Sequence, residues 1–513
     1  MTLTPRYGRE RIRRGLIHFL LGKGISAVAG FAVLLLLVRE LPVAEFATYS
    51  VLQAFVEVFT ALTGFGLTHA ALRYVPELYV QHENRVFRGF VLGVAGLRLT
   101  VLTLACLLAY MASDSLARLF GLTDWVDILQ AYLAVVWVRV NGHFLFQLLE
   151  STLHQGLGQA AFVISTLFKL ALIAWLAFDG TLSIERVIWS EVAAETLGLG
   201  ILFIGVLRVL RAAKPAAPMQ AWTEWWTRNA RRVTRFGLTG YLQHLAILPY
   251  GSAPNRLVAG RFLEVTAVAA FGFAQSFADM LRGYLPAQFM VGLIRPVLMA
   301  RFSTTRDFGE VARVLALIFR LNTILLGAVA APLLAMGPVA VATLSGNKYG
   351  AEAAWLLLAL IGVLVLESHR FLIALAIQTV ERNGLLVIGN LALAASLVLS
   401  ILLTHYLGAL AIPFTAAVGL IVSNAWTSYR LGKEGFLYAF GYVDFGRVLV
   451  SVLLAALIGH TAQSVFGWVL GLVMIFITYP LLLWVAGAIR CKDFQKLRKL
   501  KQPPTATSND MAP

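Results

Sequence analysis

The chemistry open to this sequence is carried by ionisable side chains that interrupt long apolar stretches. Lys23, Arg98, Arg139, Lys169, Arg256, Arg320 and Arg370 are the cations; Glu57, Glu191, Glu195, Asp279 and Glu367 are the anions. Each costs roughly 2.5–3.5 kcal/mol at the centre of a membrane helix, so such residues are kept as paired ions or as ligands for something that crosses. Glu191 and Glu195, four apart, share a helix face, and Gln275, Asp279 and Arg282 form a similar stripe. Arg139 and His143 also share a face, with Asn141 turned roughly 200° away. The cations outnumber the anions, and an excess of positive charge inside spans suits the reception of an anion. Structural pairing competes with that account: Lys23 with Glu57, Arg98 or Lys169 with Glu191 or Glu195, and Glu367 with Arg370.

Catalytic constellations are missing from the sequence. There is no Cys/His spacing for a metal, no Gly-x-Ser-x-Gly elbow, no phosphate loop ending in Gly-Lys-Ser/Thr and no Asp-x-Asp. His18, His69, His154 and His244 stand singly and read as packing or interface residues. An enzyme is not expected, nor is a cofactor or a metal.

The elements that must position these charges follow from composition. Of 513 residues, 59% are hydrophobic and 13% charged, against roughly 45–50% and 25% in soluble domains. So little polar surface cannot cover a water-facing exterior, which excludes a cytosolic enzyme, a disulfide scaffold and a disordered binder. Cys106 lies in an apolar run and Cys491 in a basic tail, which is no disulfide framework. Fourteen runs reach the roughly 20 apolar residues that cross a bilayer, from 14–38 to 468–489, and the alternating strands of a membrane barrel do not appear. The expected fold is therefore an all-α polytopic membrane protein of about fourteen transmembrane helices. The first run keeps Lys23 and lacks a cleavage site, so it is expected to remain as a span.

An even number of spans puts both termini on one side. Segments 1–14, 208–235 and 490–513 hold five, seven and six basic residues against one, one and two acidic ones. All three fall on the same side, whereas the opposite loops are acidic on balance. Basic loops stay in the cytoplasm, so both termini are expected there, and the net charge of +16 needs no nucleic acid. Within 208–235, Trp222, Trp225 and Trp226 precede Arg228, Arg231 and Arg232, the spacing of a helix in the headgroup region. Spans 13 and 14 carry no Lys, Arg, Asp or Glu between Arg447 and Arg490 and read as lipid-facing additions to twelve helices. The end, from Pro503 to Pro513, has the polar composition of a disordered tail.

Spans 1 and 7 are both interrupted, as in transporters built from two repeats. The first contains Leu21-Gly22-Lys23-Gly24; the seventh contains Pro249, Gly251 and Pro254 before Arg256. The blocks LLLLVRELPVAEFATYSVLQAF (34–55), GFGLTHAALRYVPEL (64–78), NRLVAGRFLEVTAVAAFGFAQSF (255–277), LSGNKYGAEAAWLLLALIG (344–362) and LALAASLVLSILLTHYLGALAIPFTAAVG (391–419) follow in order. Together, over residues 10–430, the sequence resembles the polysaccharide-lipid flippases (O-antigen and exopolysaccharide translocases). Their superfamily also holds lipid II flippases and multidrug and toxin extrusion antiporters. Asn255 departs from the Asp-Arg pair usual in that family.

The resemblance implies two six-helix lobes (1–207 and 236–429) around a central cavity with alternating access. A basic Trp-containing linker (208–235), two peripheral helices (430–490) and a basic tail (491–513) complete it. It also implies a bacterial inner-membrane translocase that carries an undecaprenyl-diphosphate-linked oligosaccharide to the outer leaflet for lipopolysaccharide or exopolysaccharide biosynthesis. Its partners would be the polyprenyl-diphosphate-linked glycan, the bilayer, and polymerase and chain-length proteins of that pathway. Under this reading Lys23, Arg256, Arg98, Arg139, Lys169 and Arg282 bind substrate, while Glu57, Asp279, Glu191, Glu195 and Glu367 pair with them or couple transport to protons or sodium. An ion-driven drug or metabolite antiporter would instead have a cavity rich in carboxylates and aromatics. A non-transporting scaffold would leave the buried charges dispensable.

The topology is checked with a membrane-impermeant thiol reagent. Cys491 should be labelled only after the cytoplasmic face is opened, and Asn347→Cys should be labelled from outside; labelling of both from one side would remove the fourteen-span arrangement.

Overall fold

The computed structural model describes residues 9–80, 84–213, 220–288, 306–380, 384–438 and 441–489, with the single residues 298, 302 and 382. Among them are α-helices and single 3₁₀ turns, and no strand. A chain in lipid has no water to satisfy its amides, so helices that close their own hydrogen bonds are the available spanning form. Among the described residues ten helical stretches are long and apolar enough to cross a membrane, or eleven if a bent pair counts as one span. Fourteen is not reached by this measure. One expected span, 236–257, is divided between a polar-fronted helix and a short one. Two others, 384–404 and 408–429, are the separate helices Gly384–Leu407 and Ala411–Lys433, packed on each other across a 3₁₀ turn at Gly408–Leu410, and count as one stretch by this measure.

The chain divides into two compact units, Met1–Gly272 and Phe273–Pro513. The first is built from α1 (Arg9–Glu40), α2 (Val43–Leu62), α3 (Leu67–Val80), α4 (Asn84–Met111), α5 (Ser113–Phe120), α6 (Val126–Ser151), α7 (Gln155–Phe178), α8 (Ile184–Ala212), α9 (Gln220–Ile247) and α10 (Ser252–Phe262). It also takes the first turns of α11 (Val265–Tyr284). α1 lies along α7, and α8 packs against both α6 and α7. α9 packs on α3 and α4, and α10 on α2 and α5.

The Trp-rich segment expected at the headgroups is the opening of α9, which then continues without a break to Ile247. Trp222 lies against Gly89 of α4, where a Cβ would come within 2.7 Å of the indole. Trp225 meets Phe90 edge-on at 5.8 Å, and Arg228, Arg231, Arg232 and Arg235 face outward.

α2 and α3 meet at 63°. Phe65 and Gly66 make the bend with φ of 42° and 75°, and a Cβ on Gly66 would collide with the backbone of Gly237 on α9. The carbonyls released there are met from other helices. Tyr241 Oη of α9 donates to Leu62 O at 2.7 Å, and the Arg98 guanidinium of α4 donates to Thr63 O.

The second unit holds the rest of α11 and α12 (Phe308–Ser345), α13 (Ala351–Thr379), α14 (Gly384–Leu407), α15 (Ala411–Lys433), α16 (Tyr442–Phe466) and α17 (Trp468–Val485). α12 breaks at Met336, between Pro332 and Pro338, where proline removes amide donors and crowds the preceding turn. The final pair of helices answers this helix. His460 Nδ1 donates to Ala335 O at 2.9 Å, and Tyr479 Oη donates to Ile324 O at 2.8 Å while lying over Gly327. Val448, Val452, Ala455, Ile475 and Tyr479 form a core with Ala331, Ala335 and Met336. Arg320, buried on α12, pairs with Asp444 of α16 at 3.1 Å. The expected lipid-facing character of spans 13 and 14 therefore describes only their outer face, with Leu453, Leu457, Phe476 and Ile477.

The α2–α3 bend generates a stability prediction. Gly66→Ala brings both a left-handed backbone and a collision with Gly237, and should lower stability by at least about 1–3 kcal/mol. Gly24→Ala, with open space around it, should leave stability unchanged or improve it. Thermal unfolding of the two detergent-solubilised variants, followed by fluorescence-detected size exclusion, separates them; equal midpoints would show that the bend is not under this constraint.

Candidate functional site

Four helices of the first unit turn charged or polar faces toward one another. Small residues make this possible: Gly198 of α8 sits on Ser165 of α7, Gly205 on Leu149 of α6, and Gly142 of α6 near Leu202. The close approach brings the acidic face of α8, with Glu191 and Glu195 one turn apart, between α6 and α7. α2 adds Tyr49 and Gln53, also one turn apart, with Glu57 exposed a further turn along the same face.

Glu191 is the hub. Its Oε1 accepts from Tyr49 Oη at 2.6 Å and from Lys169 Nζ, and its Oε2 pairs with Arg139 Nη2 at 3.1 Å. Arg139 Nε donates to Glu195 Oε1 at 2.8 Å, so one guanidinium bridges both carboxylates. Gln53 Nε2 donates to Tyr49 Oη at 2.8 Å, and Gln53 Oε1 accepts from Arg256 Nη1 of α10 at 3.3 Å. The amide thus links the buried Arg256 to the cluster. Tyr132, fully buried on α6, lies within electrostatic reach of Glu191, Arg139 and Lys169.

Burial is graded across the cluster. The Glu191 side chain is 0% exposed, Lys169 16%, Arg139 26% and Glu195 30%. Lys169 and Arg139 balance the two carboxylates, and Arg256 adds a positive charge. Chemically the arrangement can hold an anionic group of small size against a guanidinium and an ammonium, with one side open. Among the described residues no group of His, Cys, Asp or Glu is arranged to hold a metal ion.

The second unit has a second charged cluster. Arg282 of α11 forks onto Glu367 of α13, with Nε and Nη2 each 3.0 Å from a carboxylate oxygen, and reaches Asp279 at 3.0 Å. Gln275 Nε2 donates to Asp279 at 3.0 Å. Two carboxylates thus enclose one guanidinium. Glu367 takes Arg282 as its partner and not Arg370, which donates to Asn390 at 2.6 Å and to Thr427 at 3.3 Å.

The remaining sequence-predicted residues lie elsewhere. Arg98 serves the α2–α3 bend through Thr63 O. Lys23 is half-buried on α1, next to Gly22, where the helix meets Gln159 of α7. His143 contacts Gln147 at 3.0 Å, and Asn141 donates to Trp137 O at 2.9 Å. A search for charges overlooks Tyr49, Gln53 and Tyr132; the spacing of Tyr49, Gln53 and Glu57 by fours was the signal that could have found the α2 stripe.

Comparison with known proteins adds three findings. The profile of a family described as "Polysaccharide biosynthesis protein" matches residues 12–292. No curated protein matches the chain in sequence. Among solved structures, the lipid II flippase MurJ in an inward closed conformation is similar with a TM-score of 0.68 and 11% identity, covering 91% of this chain and 98% of that one. An inward-facing multidrug resistance MATE family transporter of the MOP superfamily is similar with a TM-score of 0.62 and 15% identity, covering 81% and 98%. The MATE multidrug transporter DinF-BH in complex with R6G gives 0.56 and 15%, covering 85% and 98%. At such identities these likenesses establish a shared fold.

The hub makes Lys169 and Glu191 energetically dependent on each other. Removing one partner of a buried pair strands the other, at about 3–5 kcal/mol, whereas replacing both by apolar groups is often near neutral. Lys169→Met and Glu191→Met should each lower the thermal midpoint, and the double substitution should lower it by less than their sum. Additive losses would show that the two side chains do not interact.

Proposed function

We propose that this chain, which belongs to the polysaccharide biosynthesis protein family, is a flippase for an undecaprenyl-diphosphate-linked oligosaccharide. It moves the molecule from the cytoplasmic to the outer leaflet of a bacterial inner membrane, with both termini cytoplasmic, for lipopolysaccharide or exopolysaccharide assembly. Polymerase and chain-length proteins are the partners such a pathway supplies. The observation that carries the reading is the graded cluster of Arg139, Lys169 and Arg256, a polar site with three cations inside a multi-pass membrane protein. The fold shared with a lipid II flippase supports it, since that protein's name describes a lipid-linked substrate.

The physical steps follow from charge and solvation. The polyprenyl tail stays in lipid, where it loses nothing. The diphosphate cannot cross hydrocarbon bare, so guanidinium and ammonium groups take the place of its water through charge-assisted hydrogen bonds. A potential negative inside favours outward movement of an anion by about 2.3 kcal/mol per charge per 100 mV. We assign a coupling role in the same cycle, taking a proton or sodium ion, to the Asp279–Arg282–Glu367 cluster, where two carboxylates meet one guanidinium.

The test substitutes single cations. Each phosphate contact is worth roughly 1.5–3 kcal/mol, so its loss weakens binding by about ten- to a hundredfold. Arg256→Gln, and likewise Lys23→Gln on α1, which runs unbroken from Arg9 to Glu40 where the sequence suggested an interruption, should make lipid-linked glycan accumulate on the inner leaflet while the protein inserts normally. Lys23→Arg should be milder, because the charge remains. Export at wild-type rate by Arg256→Gln, at wild-type abundance, would overturn the reading.

A further inference from the structure

Two glutamates hold the same guanidinium from different environments. Glu191 is sealed in and takes donors from α2, α6 and α7. Glu195 keeps almost a third of its side chain exposed, and the contact it makes with Arg139 is the pair's open edge. An anion arriving at Arg139 from that edge meets Glu195 first. Only one of the two carboxylates can withdraw at low cost. Moving Glu191 would strand Lys169 and the Tyr49 hydroxyl in a buried site, where a lost partner is expensive. Moving Glu195 releases a single charge-assisted bond from a carboxylate that is already partly exposed.

We infer that Glu195 is an internal counter-anion. It occupies Arg139 when the site is empty, leaves when the diphosphate binds, and returns to expel it. This deepens the reading given above and rests on it. Exchange also resolves a conflict in any carrier of a diphosphate: guanidinium, ammonium and phosphate bind too well to part unless something replaces the ligand.

The experiment measures binding of geranyl diphosphate to the purified full-length protein in detergent, together with cell-surface polysaccharide export in cells. Glu195→Gln keeps the shape and an oxygen that accepts from Arg139 but removes the competing charge. It should bind geranyl diphosphate about tenfold more tightly than wild type, the worth of one charge-assisted bond, while exporting more slowly because release is impaired. Arg139→Gln should bind more weakly than wild type, and adding Glu195→Gln to it should bring no gain. Tighter binding combined with slower export is a signature that a merely structural glutamate would not give. If Glu195→Gln does not fold, Glu195→Asp, which shortens the reach of the carboxylate, should give a smaller gain of the same sign. Arg139-dependent binding without any gain on changing Glu195 would overturn the exchange alone. Equal binding by wild type and Arg139→Gln, or none by either, would remove the substrate site itself and the exchange with it.

Discussion

Lipid offers no hydrogen bonds, and nearly every irregular feature described above is an answer to that fact. Where α2 turns into α3, Tyr241 and Arg98 take up the carbonyls of Leu62 and Thr63. Where prolines break α12, His460 serves Ala335 O. Asn424 of α15 donates to Leu366 O in the middle of α13 at 3.0 Å. In each case the donor comes from a different helix, so the price of local irregularity is a long-range contact. Packing in this protein is specified less by apolar surface, which lipid satisfies equally well, than by these few directed bonds.

The same constraint shapes the charged clusters. A carboxylate with no water needs several donors at once, and Glu191 gets them from three helices because glycine and serine let α6, α7 and α8 approach closely. Partial exposure then separates roles within one cluster: the sealed carboxylate fixes the geometry, and the groups at the open edge remain able to change partners. The second unit repeats one part of the arrangement, a guanidinium between two carboxylates.

Much of this could be read from residues alone, because hydropathy responds to lipid directly. The helical spans, the stripe of Glu191 and Glu195 and the Trp-Arg opening of α9 were all legible. Choice of partner was not. Glu367 and Arg370 are three apart on one helix, which in sequence looks like a pair, yet Arg282 from α11 presents both arms of its fork to Glu367, a geometry no neighbour on the same helix can match. Arg98 carries the same charge as Arg139 and sits in a similar run, but a bend in another helix determines its use. Tyr49 and Gln53 escaped notice because neutral polar groups cost little to bury and so stand out little. The number of spans was blurred where a helix is bent or polar-fronted: hydropathy marks apolar length, and it does not detect that α9 begins well before its apolar half.

The bend between α2 and α3 has a consequence for how the protein is made. Leu62 and Tyr241, the hydrogen-bonded pair that fixes it, are 179 residues apart in the chain. At synthesis rates of roughly 5–20 residues per second, the bend emerges from the ribosome about 10–35 s before the helix that locks it. During that interval its released carbonyls have no partner on α9, and bare hydrocarbon would not tolerate them. The insertion machinery must therefore hold α2 and α3 in a hydrated or protein-lined setting until α9 arrives. Assembly of the first unit is in this sense closed by one of its last helices.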